Sequence, residues 1–185
     1  QDQWREDTVS VLEFSAKGFD SQSLGAKLAL ATNGVDMHGD KVVITGHADL
    51  LAAAGARVQY LKVLDALSKE LTEALESDNR LALMKAANAG KTLQAQGGQL
   101  SPKISVKLME CTMRFVDLEK EQQLWRMKTA VALEGAVSGT DLQMLSKAFV
   151  VATEGVKMNG DVVTLHEGFE DVIKLASDRM NRLTK

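Results

Sequence analysis

The sequence predicts a mainly α protein, an elongated helical bundle built on an internally duplicated unit, each copy carrying a candidate β-hairpin at residues 35–45 and 156–166. Three observations predict it. Two distant segments match each other without gaps. Apolar residues recur at helical spacing over long stretches. Pro102 is the only proline in 185 residues, and proline is what most often breaks helices.

The match lays Leu12–Val42 over Leu133–Val163, and 14 of the 31 aligned positions are identical. The shared pattern is Leu-Glu, four residues, Gly-x-Asp-x-Gln-x-Leu, then Ala-Thr-x-Gly-Val-x-Met-x-Gly-Asp-x-Val. Beyond Val42 the match continues only with a slip of one residue, setting Gly46, Asp49, Ala54, Arg57 and Leu61 against Gly168, Asp171, Ala176, Arg179 and Leu183. One residue inserted within a helix turns everything after it by about 100°, so the slip predicts a loop near 43–48 and 164–168. Two copies are too few for a solenoid. The sequence reads as one domain over 1–185, with duplicated units at about 9–61 and 130–183 joined by a helical segment 62–129.

Each unit opens with a helical segment ending at Gly18 or Gly139. Asp20 or Asp141 follows as an N-cap, its carboxylate accepting from free backbone N–H groups. The next helix runs to about Thr32 or Thr153, burying Leu24, Leu28 and Ala31 in one copy and Leu145, Phe149 and Ala152 in the other. Gly34 and Gly155 stop it, where the chain needs positive φ. Val156 to Leu165 then alternates around Asn159-Gly160, the signature of a hairpin; the first copy has His38-Gly39 there. A helix capped by Asp40 or Asp161 is the alternative, and the β-branched runs and the slip favour the hairpin. A closing helix begins near Leu50 or Phe169.

From about His47 to Ser77, Ala54, Val58, Leu61, Leu64, Leu67, Leu71 and Leu75 recur every 3.5 residues on average, the seam period of packed long helices. A weaker helical stretch, Arg80–Gln94, ends at Gly97-Gly98. Ser101-Pro102 reads as N-cap and first residue of a further helix. Its heptad runs Ile104, Leu108, Cys111, Phe115, Leu118, Gln122, Trp125, Thr129, Ala132, with Met109, Met113, Val116 and Met127 beside it. One partner helix cannot cover both stripes.

Composition narrows function. Hydrophobic residues make up 45% of the chain and aromatics 4%, so the core is aliphatic. Twenty-two basic against 25 acidic residues leave a net charge of −3, which attracts neither nucleic acid nor anionic lipid. No apolar run is long enough for a membrane span. Cys111 is the only cysteine; it permits no intrachain disulfide or cysteine-based zinc site, and at a seam position it reads as a buried, inert thiol. The chain begins at Gln1 rather than Met, which reads as processing or trimming. A soluble protein, cytoplasmic or exported, fits both.

Candidate chemistry is sparse. His38, Asp40, Asp161 and His166 could be imagined around a metal, but the second copy has Asn159 where the first has His38, and the spacing matches no zinc pattern. Asp20, Asp141, Asp40 and Asp161 stand at element boundaries, where capping accounts for them. Glu13 and Glu134 suit a solvated helix face. Gly90-Lys91-Thr92 lacks the upstream glycine of a phosphate loop. The chain therefore reads as non-enzymatic and without a cofactor: a structural or interaction protein that binds itself, as a homo-oligomer with coiled-coil contacts, or another protein. Leu108, Met109, Met113, Phe115 and Trp125 are the candidate partner-binding residues. The alternative is a ligand-binding or sensory bundle, with a small molecule held between the two copies near Gln22 and Gln143.

Overall fold

A computed structural model describes residues 1–166 and 168–184. Among them the chain forms, in order, α1 (Asp2–Ala16), α2 (Ser21–Asn33), β1 (Val35–Met37), β2 (Asp40–Val42), α3 (Ala48–Ser77), α4 (Arg80–Ala95), α5 (Pro102–Ser138), α6 (Leu142–Glu154), β3 (Val156–Met158), β4 (Asp161–Val163) and α7 (Glu170–Leu183). The fold is mainly α with two antiparallel hairpins. The chain divides into two compact units, Gln1–Glu70 with Leu93–Ser105, and Leu71–Thr92 with Val106–Lys185.

In the first unit α1 packs on α2. Asp20 caps α2, its carboxylate accepting from the Ser23 N–H at 2.9 Å. Gly34 ends the helix at φ 73° and ψ −175°, a region essentially reserved for glycine. The backbone thereby turns straight into β1, which pairs with β2 in the register Val35 to Val42 and Met37 to Asp40. His38 and Gly39 form the turn, both at positive φ (54° and 86°), as a two-residue type I′ hairpin requires. Leu12, Leu24, Ala31, Val42, Ile44, Ala54, Val58 and Leu61 are buried in this unit.

In the second unit α6 packs on α7. Asp141 caps α6 with two bonds, from the Gln143 N–H at 2.9 Å and the Met144 N–H at 3.1 Å. Gly155 ends it at φ 76° and ψ −168°. Strands β3 and β4 pair Val156 to Val163 and Met158 to Asp161, around Asn159 and Gly160 at φ 54° and 84°. Leu133, Leu145, Ala152, Leu165 and Ala176 form the centre of this unit's core, with Phe149, Phe169, Val172 and Ile173 packed against it.

Hairpins, not helix junctions, thus follow α2 and α6. The strands end at Val42 and Val163 and the next helices begin at Ala48 and Glu170, so the one-residue slip falls in the connecting loops. The matched Gly168 lies in the second of them, at φ 81°.

The long-helix seams hold with two adjustments. In α3 the last buried position is Ala74 rather than Leu75. In α5 the buried face runs Ile104, Leu108, Cys111, Leu118 and Gln122, then shifts to Ala130, Leu133 and Ala136, leaving Ala132 exposed. A straight α-helix has 3.6 residues per turn and drifts about 20° per heptad away from a strict 3.5 repeat; over four heptads that drift moves the buried face by nearly one residue.

Candidate functional site

Two features stand out, both in the second unit: a polar cluster that holds the hairpin, and an apolar stripe along α5.

The cluster starts at the end of α3, where Asp78 takes a positive φ of 48° and lets Asn79 cap α4. The Asn79 side-chain oxygen accepts from the Ala82 N–H at 3.1 Å. Arg80 then reaches the second hairpin. Its backbone N–H donates to Asn159 O at 3.0 Å and its Nε to Asp161 at 2.5 Å. Its Nη1 contacts Glu119. Gln122, only 2% exposed, donates to Asp161 at 3.4 Å. Asn159 Nδ2 donates to Glu121 at 3.2 Å. Beside them Arg114 grips Asp78 with two bonds of 2.6 Å.

The hydrogen bonds from Arg114 hold the Asp78 carboxyl below its usual range against the opposing effect of desolvation. Bonding to Asp161 raises the Arg80 guanidinium above its ordinary value. These carboxylates meet fixed cations, so the cluster anchors the hairpin rather than moving protons. It also explains Gln122, the polar interruption of the α5 seam: the hairpin carboxylate arrives there and needs a donor. In the first unit the matched Asp40 is exposed.

The hydrogen bonds of the matched segments run in parallel. Arg5 Nε donates to Val43 O at 3.1 Å and Arg126 Nε to Thr164 O at 3.3 Å. Arg57 Nη2 donates to Gly18 O and Arg179 Nη2 to Gly139 O, both at 3.1 Å, placing a cation just beyond the carbonyl ends of α1 and α5. Arg5 and Arg126 lie outside the gapless match of Leu12–Val42 with Leu133–Val163. The signal was present: the 121-residue offset continues upstream through Gln1 and Gln122, Trp4 and Trp125, Arg5 and Arg126, and Thr8 and Thr129.

The candidate partner-binding residues divide among different faces of α5. Leu108 is 6% exposed and packs over Gly90, where a Cβ would come within 2.8 Å of Leu108 Cδ1. Phe115 is half-buried. Trp125, also half-buried, lines a groove with Lys128, Thr129, Ala132, Lys147, Ala148 and Val151. Met109 and Met113 face outward and are not isolated. Val106, Met109, Met113, Val116, Leu124, Met127 and Val131 are each 42–68% exposed. They follow steps of three and four residues, with exposed Lys120 between Val116 and Leu124. The stripe covers 25 residue steps, about 37 Å at 1.5 Å per residue.

Cys111 is buried and its thiol donates to Leu71 O at 3.5 Å; burial raises its pKa. His38, Asp40 and His166 are exposed, and Asp161 belongs to the hairpin cluster. No group of three or more His, Cys, Asp or Glu among the described residues is arranged to hold a metal ion. Gln22 lines a shallow pocket of the first unit with Gly25, Leu28, Thr32, Val58 and Lys62. No described helix is long and apolar enough to cross a membrane. No protein family, curated protein or solved structure matches the chain.

Proposed function

We propose that the chain is a non-enzymatic interaction protein, a helical bundle that uses the outer face of α5 to bind another helix. The supporting observation is the stripe from Val106 to Val131. Single exposed apolar residues are ordinary on protein surfaces, but a contiguous line of them marks a contact surface. Its steps of three and four are those by which one helix meets another. The three methionines suit such a face, because the unbranched thioether adapts to the partner's shape. The same reading takes the two matched segments as copies of one unit. Their paired caps, turns, strand registers and arginine bonds support that descent.

The test is light scattering behind size exclusion over a concentration series, on the unaltered chain and on Met109→Lys and Met113→Lys. A mass above that of the monomer that falls with either substitution is the expected result. A monomer throughout, up to hundreds of micromolar, overturns self-association.

A second reading rests on the groove beside Trp125, which is mostly apolar and has Lys128 and Lys147 among its lining residues. Such a lining suits an amphipathic carboxylate. A thermal-shift series with medium-chain fatty acids tests it: stabilisation lost in Lys147→Ala supports this reading, and no shift at millimolar ligand sinks it.

A further inference from the structure

We propose that α5 pairs with α5 of a second copy in antiparallel orientation, about a twofold axis level with the Leu118–Glu119 peptide. The inference rests on the interaction reading above and names the occupant of that face. Its warrant is that the exposed stripe is close to a palindrome. Reading inward from its ends, Val106 answers Val131, Met109 answers Met127, Met113 answers Leu124, and Val116 answers Lys120. A symmetric contact requires one patch to be complementary to itself. An antiparallel pair of helices meets that requirement only when the pattern reads alike in both directions.

Charge selects the same orientation. Lys120 is the single charged residue within the stripe. Parallel, in-register pairing sets the two Lys120 ammonium groups level in the seam, where like charges repel. Antiparallel pairing places each Lys120 against Val116 and Asp117 of the second copy. Asp117 is already within reach of that ammonium, at 3.4 Å within its own helix. On one flank of the stripe, Glu110 of each copy comes within one residue step of Lys128 of the other, giving two opposite-charge pairs by symmetry. Asp117 and Glu121 of opposite copies come equally near, with a Lys120 from each side between them. The helix dipoles oppose, which is their favourable arrangement. Seven half-exposed aliphatic side chains offer on the order of 500 Å² per copy, so the pair buries about 1,000 Å², where specific interfaces begin.

Cysteine pairing on the full chain tests the register. Cys111 is buried, so an introduced surface cysteine is the reactive thiol. Met113→Cys and Leu124→Cys are prepared separately, one with an affinity tag, and oxidised alone and mixed in a glutathione redox buffer. Antiparallel pairing predicts a tagged–untagged disulfide dimer in the mixture, at least tenfold above the dimer from either variant alone. Parallel pairing predicts the reverse, because each cysteine then meets its own equivalent; that result overturns the inference and leaves the interaction reading standing. A dimer by light scattering that cross-links at neither position also overturns the inference alone. A monomer by light scattering overturns the inference together with self-association, and leaves binding to a different partner helix standing. As an independent measure, Glu110→Lys and Lys128→Glu each raise the dimer Kd roughly threefold to tenfold, as exposed ion pairs do, and the double substitution restores it. Failure of the double substitution to restore affinity counts against the register.

Discussion

Gly155→Ala tests how the helix-to-strand corner is made. Gly155 sits at φ 76° and ψ −168°, in a region where residues with a Cβ cost about 1–3 kcal/mol. An alanine Cβ there also runs into the backbone carbonyl of Val163 and lies 2.9 Å from Thr164 Cγ2. Val163 is held by the β3–β4 register, so the collision is relieved only by moving backbone, at about 1–3 kcal/mol more by analogy with overpacked cores. Gly39→Ala is the internal control. It too has positive φ, at 86°, but its added Cβ meets nothing within 4 Å, leaving a strain of about 1–2 kcal/mol. Thermal unfolding followed by circular dichroism separates the two. For a chain of this length each kcal/mol moves Tm by about 2–4 °C. Gly155→Ala is expected to lower Tm by roughly 10 °C or more and Gly39→Ala by a few degrees. Gly34→Ala, whose Cβ meets Val42 and Val43 in the same way, is expected to match Gly155→Ala. A Gly155→Ala protein no less stable than Gly39→Ala refutes the reasoning.

Three further outcomes follow from particular side chains. Asp141→Ala removes two cap bonds and Asp20→Ala one; each is expected to cost about 1 kcal/mol in urea unfolding, the former more. Because the folded-state pKa of Asp78 is depressed, its contribution is present above about pH 4, the unfolded value, and is lost as pH falls through the folded value. Asp78→Asn tolerates the positive φ, so it isolates the charge. Its stability gap to the parent, from urea midpoints between pH 6 and 2.5, is expected to narrow toward acid; a constant gap counts against the ion pair. Cys111 is expected to react with an aromatic disulfide reagent only slowly in the native protein and as one full thiol in denaturant, and fast native labelling contradicts its burial.

The polar residues show where sequence reading was sufficient and where it stopped. Asp20 and Asp141 were legible as caps because a cap depends on neighbours two and three residues away. Gly34, Gly155 and the Asn159-Gly160 turn were legible for the same reason: positive φ is a local demand that few residues meet. Gln122 and Thr129 were visible only as interruptions of a seam. What Gln122 bonds, Asp161, lies 39 positions on, and nothing local reveals that distance. Arg80 stands in a weakly patterned helical stretch, where nothing local points to the contacts with Asn159 and Asp161 that hold the hairpin.

The α5 residues mark the same boundary. Periodicity established a long helix with more apolar residues than one partner could cover, and it placed Leu108 on the heptad and Met109 and Met113 beside it. It set Cys111 on the inward seam but did not say which of the flanking apolar residues would stay exposed, because periodicity gives a helix's stripes and not the surfaces that meet them. Tertiary packing made that choice. The close approach of Leu108 to Gly90 and of Cys111 to the Leu71 carbonyl turned one stripe inward and left Val106 through Val131 outward. Helix extents, caps and turns follow from interactions a few residues apart, and the sequence determined them by itself. The inward face, the hairpin anchor and the exposed stripe depend on contacts between distant segments, and only the tertiary structure decided those.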